Sequence, residues 1–322
     1  MKVLAFGEVM LRLEVLDHDL LQQSNQFKYS FVGTGLNVLS GLSSFGIETT
    51  LLTALPDNNL GKAALETIQK VGIDSRLIKT YGEHMGSYIL EKGHGFRPSE
   101  VTYLDRSLSS FNTRKLTVLE IEEALQGVCA VHLCGIALTT SNTSRENCLR
   151  MIEVADKQDI TIIFDCNVRP SLVKKQEIKN NYEQVLNYAD IVFGSRYDAK
   201  NFLELDCDDE KLLKAFIEKY EIELFLGTHK NNHDYQGFIM SQDEYVLSSI
   251  YDIQDVLDPV GTGDAYAARA IAGILREESL QRIVDRASMS GVLSHSIQGD
   301  KCLVTEKMIE QGLSSNGSKI IR

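Results

Sequence analysis

Short apolar runs separated by helix-length segments constrain this chain more than any other feature. Val3-Leu4-Ala5-Phe6, closed by Gly7 and Glu8, opens the series, and Thr49–Leu55, Ala130–Cys134, Thr161–Asp165, Ile191–Phe193 and Leu224–Leu226 continue it. Brief runs rich in Val, Ile, Leu and Phe are how strands covered on both faces read. Between most of them lie segments with helical spacing, at 35–45, 59–71, 143–157, 181–187, 198–205 and 209–219. Alternating strand and helix predicts an α/β fold of three layers, α/β/α, around a mostly parallel central sheet. At 322 residues the chain can bury the core of one large domain with an appendage.

Two stretches break the rhythm. Residues 11–32 and 85–107 alternate polar and apolar side chains, with Tyr29, Phe31, Tyr88, Ile89 and Tyr103 in strand-like settings. They predict a small antiparallel sheet inserted over one edge of a body made of 1–10, 33–84 and 108–322. Such a sheet can act as a lid that keeps water from a reaction; a plain extension of the main sheet is the alternative.

Composition narrows the partners. A net charge of −12 argues against a nucleic-acid binder, yet leaves room for a local basic pocket taking a small anion. No segment approaches a membrane span, so no membrane partner is expected. The six cysteines form no CxxC pair and the seven histidines show no ligand spacing, which predicts reduced thiols and a cytoplasmic protein. His132, inside an apolar run, reads as packing.

Asp258-Pro-Val-Gly-Thr-Gly-Asp-Ala265 carries the chemistry. Gly261 and Gly263 leave backbone N–H groups uncovered just before a helix rich in small residues, whose positive end suits an anion. Asp264 stands where a carboxylate could take a hydroxyl proton as a phosphoryl group arrives. The combination points to phosphoryl transfer to an alcohol; a turn with Asp264 as a simple N-cap is the plainer alternative.

Together with Val32-Gly33-Thr34-Gly35-Leu36-Asn37, this element resembles the paired motifs of the ribokinase-like (PfkB) carbohydrate kinases, in the family's order. Phe164-Asp165-Cys166-Asn167-Val168-Arg169-Pro170, His132–Ile136 and the Pro-Val of 259–260 look most like the 2-keto-3-deoxygluconate kinases of that family. The resemblance implies ATP and Mg²⁺ as cofactors and leaves a monovalent cation open. It also implies a homo-oligomer, paired as a dimer through the lid. Asp264 would be the base and the N–H groups of Gly261, Thr262, Gly263 and Asp264 the anion hole. Thr262 departs from the family's usual alanine.

Gly33, Thr34, Gly35 and Asn37 would meet the sugar, though Gly33 and Gly35 could serve only the turn. Arg169, just past a strand end, has the planar fork that suits a carboxylate, unless it is a surface salt-bridge arginine. Arg12 replaces an aspartate of many neutral-sugar kinases and could attract an acid, or lie in solvent. Tyr88 and Tyr103 would contact substrate from the lid or merely pack. Asp105 stands where an arginine is common, so Arg106 takes that role only if the register shifts by one. On the nucleotide side there is no Walker A sequence. Ser195 and Asp198 replace the family's Asn and Glu, with Asp198 ordering Mg²⁺ through water. Gly227 and Thr228 would lie near the phosphates and Ser288 near adenine. The substrate expected is a sugar acid, 2-keto-3-deoxygluconate; the alternatives are a kinase of a neutral sugar and a sensor that kept the fold without turnover.

Overall fold

The computed structural model describes residues 1–168, 175–231 and 233–314. Among these, strands run β1 Lys2–Phe6, β2 Met10–Val15, β3 Phe27–Val32, β4 Glu48–Leu55, β5 Ile78–Thr80, β6 Ser87–Glu91, β7 Glu100–Leu104, β8 Ala130–Cys134, β9 Thr161–Asp165, β10 Ile191–Phe193, β11 Leu224–Asn231, β12 Asp234–Ser241, β13 Tyr245–Leu247 and β14 Tyr251–Asp252. The large sheet has the order β13-β12-β11-β10-β9-β8-β1-β4-β5, with β14 beside β12. From β5 to β11 every pairing is parallel; β12, β13 and β14 add an antiparallel edge.

Helices cover both faces, and β1 shows why its run is apolar without a break. Leu4 and Phe6 enter one buried cluster while Val3 and Ala5 enter the other, on the opposite face. Both sides of the strand are core.

The small sheet has the order β3-β2-β6-β7. Its two hairpin-like pairs are antiparallel, but β2 and β6 meet in parallel, with Arg12 opposite Tyr88. The expected all-antiparallel pairing is thus corrected at its centre. Between β3 and β6 the chain passes through β4 and β5 of the main sheet, and that crossover returns it in the same direction.

The helices Thr34–Ser44 and Thr262–Leu275 lie against each other on one face of the large sheet. A Cβ on Gly41 would stand 2.5 Å from that of Ala268, so the approach requires glycine. This contact brings the two glycine-rich motifs together.

Candidate active site

Seven of the α-helices with described N-caps take a side-chain cap, from Asn58, Ser109, Thr117, Ser141, Ser195, Asp208 or Ser279. The helices that begin after Gly33 and Gly261 take none. Both open on one cleft of about 800 Å³ between the sheets. Uncapped N–H groups at two converging helix ends are donors held ready for an anion or a hydroxyl oxygen. The helix of small residues starts at Thr262, with Gly261 as its cap at φ of 81°. Asp264 is therefore in the first turn and is not the N-cap.

Asn37 Nδ2 donates to Asp264 Oδ2 at 2.6 Å. A carboxylate only accepts, so the amide nitrogen must be the atom that faces it. The Asn37 Oδ1 that remains is buried without a protein donor. The Thr262 hydroxyl, the departure from the family pattern, closes the turn onto the Pro259 carbonyl at 3.2 Å. Thr34 Oγ1 accepts from Asn167 Nδ2 at 3.1 Å, and Asn167 holds a left-handed φ of 36°.

At the lid end, Asp105 is exposed in a left-handed turn (φ 41°) and its carbonyl accepts from His84 Nε2 at 3.1 Å. Arg106, the residue after that turn, reaches the cleft wall. Its Nε donates to Glu8 Oε2 at 2.7 Å and its guanidinium lies 5.4 Å from the Tyr103 ring centre. Glu8 also accepts from Ser109 Oγ at 2.6 Å and Asn112 Nδ2 at 3.1 Å. Arg106 is only 8% exposed, and its Nη1 has no protein partner.

The cleft thus gathers Gly33, Thr34, Asn37, Tyr88, Tyr103, Arg106, Ser195, Asp198, Gly227, Thr228, Gly261, Thr262, Gly263 and Asp264 on one wall system. Ser195 and Asp198 form a capping box: Asp198 Oδ2 accepts from the Ser195 N–H at 2.8 Å and from its hydroxyl at 2.7 Å. Three expected residues are placed otherwise. Arg12 is neither in solvent nor on the cleft; it is fully buried and paired with Glu14, Asp258 and Asp300. Burial alone would lower its pKa, but the adjoining Asp300 and Asp258 outweigh this and raise it. Ser288 is also fully buried, packed against Gly237 of β12 and off the cleft wall. Gly35 lies under its helix against Ala5. Arg169 falls outside the described residues.

Asp165, Asn167, Lys230 and Asp300 also line the cleft, although sequence reasoning did not place them among its site residues. Lys230 Nζ sits 3.5 Å from Thr262 Oγ1 and 5.5 Å from the Tyr235 ring centre, with no carboxylate partner among the described residues. Desolvation in the cleft lowers its pKa. The signal for Asp165 and Glu8 was available, since each ends or follows a parallel strand at its carboxyl end, where such sheets bind ligands.

Residues 1–302 match the family described as pfkB family carbohydrate kinase. The chain belongs to that family. It is an ATP-dependent sugar kinase, and its substrate is a small-molecule sugar. The kinase is 23% identical to the 2-dehydro-3-deoxygalactonokinase of Haloferax volcanii over 100% of the chain and 99% of that protein. It is 28% identical to a 5-dehydro-2-deoxygluconokinase of Clostridium botulinum, over 100% and 96%. A solved structure of a candidate 2-keto-3-deoxygluconate kinase from Enterococcus faecalis superposes with a TM-score of 0.93 at 36% identity, covering 100% of this kinase and 99% of that chain. Its six cysteines are free thiols, and no helix among the described residues is long and apolar enough to cross a membrane.

Proposed function

We propose that this kinase phosphorylates the terminal hydroxyl of a 2-keto-3-deoxy sugar acid, with 2-keto-3-deoxygluconate as the first choice. One observation carries the substrate class: Arg106 lines the cleft, and its buried Nη1 has no protein partner. An orphaned guanidinium nitrogen in a nearly dry position costs free energy until an acceptor arrives, and a carboxylate is its best acceptor. Glu8 fixes the same guanidinium through Nε at 2.7 Å, which limits the orientations it can take.

The residues fit the cofactors. The uncapped end at Thr262–Asp264 and the Lys230 ammonium supply donors and charge for phosphates. Among the described residues no group of three or more His, Cys, Asp or Glu side chains could cage a metal. Mg²⁺, which is commonly held by phosphates, water and one or two carboxylates, would here rely on Asp198. Bound MgATP supplies the phosphoryl group and screens its charge.

The chain's own residues then do the following. Arg106, with Tyr88 and Tyr103 beside it, holds the acid end of the sugar. The buried Asn37 Oδ1 accepts from a sugar hydroxyl, while Asn37 Nδ2 orients Asp264. Asp264 would take the proton of the terminal hydroxyl as that oxygen bonds to the γ-phosphorus and the bond from this phosphorus to the bridging oxygen breaks, releasing ADP. The N–H groups of Gly261, Thr262, Gly263 and Asp264 would hold the charge on the transferring group. The smaller sheet, 11–32 and 85–107, serves as the lid. Exposed Phe27, Tyr29 and Val101 on its strands support pairing of two copies there, and the protein is taken to work in the cytoplasm.

The test is ADP release from the full chain with ketodeoxygluconate, its galactonate epimer, 5-dehydro-2-deoxygluconate, fructose and ribose. Highest kcat/KM on a ketodeoxy acid supports the reading. A preference for fructose or ribose overturns the substrate class, and no turnover on any sugar despite ligand binding overturns the reaction.

A further inference from the structure

We propose that Arg12 is a positioning residue that ties the phosphate-binding turn to the lid sheet and carries, as a fixed charge, the role an exchangeable monovalent cation would otherwise fill at that turn. The inference rests on the reading of Asp258–Asp264 as the phosphoryl-transfer turn.

Arg12 belongs to β2 of the small sheet, yet its guanidinium reaches into the body. Nη2 donates to Asp258 Oδ2 at 2.8 Å and also to Glu14, and Nη1 donates to Asp300. Lys92 Nζ reaches Glu14 at 2.7 Å, which leaves the charge of Arg12 to the two aspartates. Asp258 is fully buried at the start of the turn. Its Oδ1 accepts from Val260 N and its Oδ2 from Gly299 N, both at 3.1 Å. Those bonds shape the turn.

Asp300 grips the same turn from its other side. A Cβ on Gly261 would stand 2.3 Å from the Asp300 carbonyl oxygen, so this residue packs directly against the cap of the catalytic helix. One guanidinium therefore joins the side chains of Asp258, at the start of the turn, and of Asp300, whose backbone packs on Gly261. A planar fork can bridge both at once, whereas an ammonium is a point charge. Removing it would strand two buried negative charges beside the anion hole, where they would also repel the phosphates. Because each Asp258 oxygen already has a partner, the turn holds its shape without a metal ion.

The experiment uses the full chain with Arg12→Lys, Arg12→Met and Asp258→Asn, assayed where circular dichroism shows each variant folded. Reactions run in chlorides of potassium, sodium or tetramethylammonium. The wild type is expected to keep its kcat within about twofold in all three salts, because its cation is built in. Arg12→Lys should lose about 10- to 100-fold in kcat, with the sugar KM changed by less than about threefold, as when a preorganised donor set is disturbed. Arg12→Met should recover part of its rate with potassium or added guanidinium. A folded Arg12→Lys with normal kcat would make Arg12 a stabilising residue only, and a wild-type rate that rises with potassium would assign the role to the exchangeable ion. Should both Arg12 variants fail to fold, the wild-type salt series decides: a rate held within about twofold in all three salts supports the proposal and one that rises with potassium overturns it. A folded Asp258→Asn, whose amide nitrogen cannot accept from Gly299 N and Arg12, should also lose kcat, and a normal kcat there overturns the proposal. An active Asp264→Asn would instead remove the reading of the turn itself, which separates the two failures.

Discussion

Asn37 and Asp264, 227 positions apart in the chain, are joined by a 2.6 Å hydrogen bond between their side chains. The bond ties the helix behind the first glycine motif to the first turn of the helix behind the second. Its effect is to hold a carboxylate in one orientation at the mouth of an uncapped helix. Asp264→Asn keeps the size and removes the acceptor of the proton. Its kcat should fall about 10²- to 10⁴-fold with the sugar KM nearly unchanged. Steady-state ADP release measures both, and a near-normal kcat would remove Asp264 from the role of base.

Arg106 gives a test of selectivity. Arg106→Ala should raise the KM for ketodeoxy acids about 10- to 100-fold, the worth of a charge-assisted hydrogen bond, and leave neutral sugars nearly unaffected. Glu8→Gln should produce a weaker version of the same pattern, because Glu8 acts through Arg106 at 2.7 Å. Equal losses on acid and neutral sugars would reduce both residues to a structural role.

The sequence made the two glycine-rich motifs legible because each is local: a few adjacent residues define a glycine turn, its helix and its polar side chain. The parallel rhythm of the main sheet was legible for a related reason, since runs such as Val3–Phe6 report burial on both faces. Arg12 was misplaced because its meaning is not local. Its partners Asp258 and Asp300 are 246 and 288 positions away, and nothing beside Arg12 announces them. Ser288 failed differently: its helix face turns to β12, and one serine among small residues does not reveal which way it points. Which of Asp105 and Arg106 meets the cleft depends on a left-handed backbone at a non-glycine residue, Asp105, which the sequence does not advertise.

Gly261 probes the turn sterically. With φ at 81° and the Asp300 carbonyl 2.3 Å from any Cβ, Gly261→Ala must strain the turn. Stability should drop by about 1–3 kcal/mol. At temperatures where the variant stays folded, kcat should still fall about tenfold or more. Urea unfolding and initial rates on the same preparation separate the two effects; unchanged kcat in folded Gly261→Ala would show that the turn tolerates displacement.

His132 predicts the acid side of the stability profile. It is fully buried on β8, neither ring nitrogen has a partner, and burial pushes its pKa down to about 4 from an ordinary 6.5. Below pH 6.5 the unfolded chain takes up a proton that the folded one refuses, so stability falls as pH drops through the window from 6.5 to 4. The loss amounts to about 3 kcal/mol and ends below the folded pKa. His132→Leu should flatten this part of a urea-unfolding series by up to one proton. Superimposable slopes for the two proteins would show that the imidazole is protonated inside the fold.

The bare helix ends after Gly33 and Gly261 have a consequence for anyone who would harden this protein. A serine or aspartate at an N-cap is a standard route to about 1 kcal/mol of added stability. At Gly33 and Gly261 that route is closed, because a Cβ would stand 2.2 Å from the Glu8 carbonyl oxygen and 2.3 Å from the Asp300 carbonyl oxygen. Heat tolerance has to be sought elsewhere in the fold, because any side chain at these two positions runs into backbone carbonyls and strains the turns that leave the helix ends open.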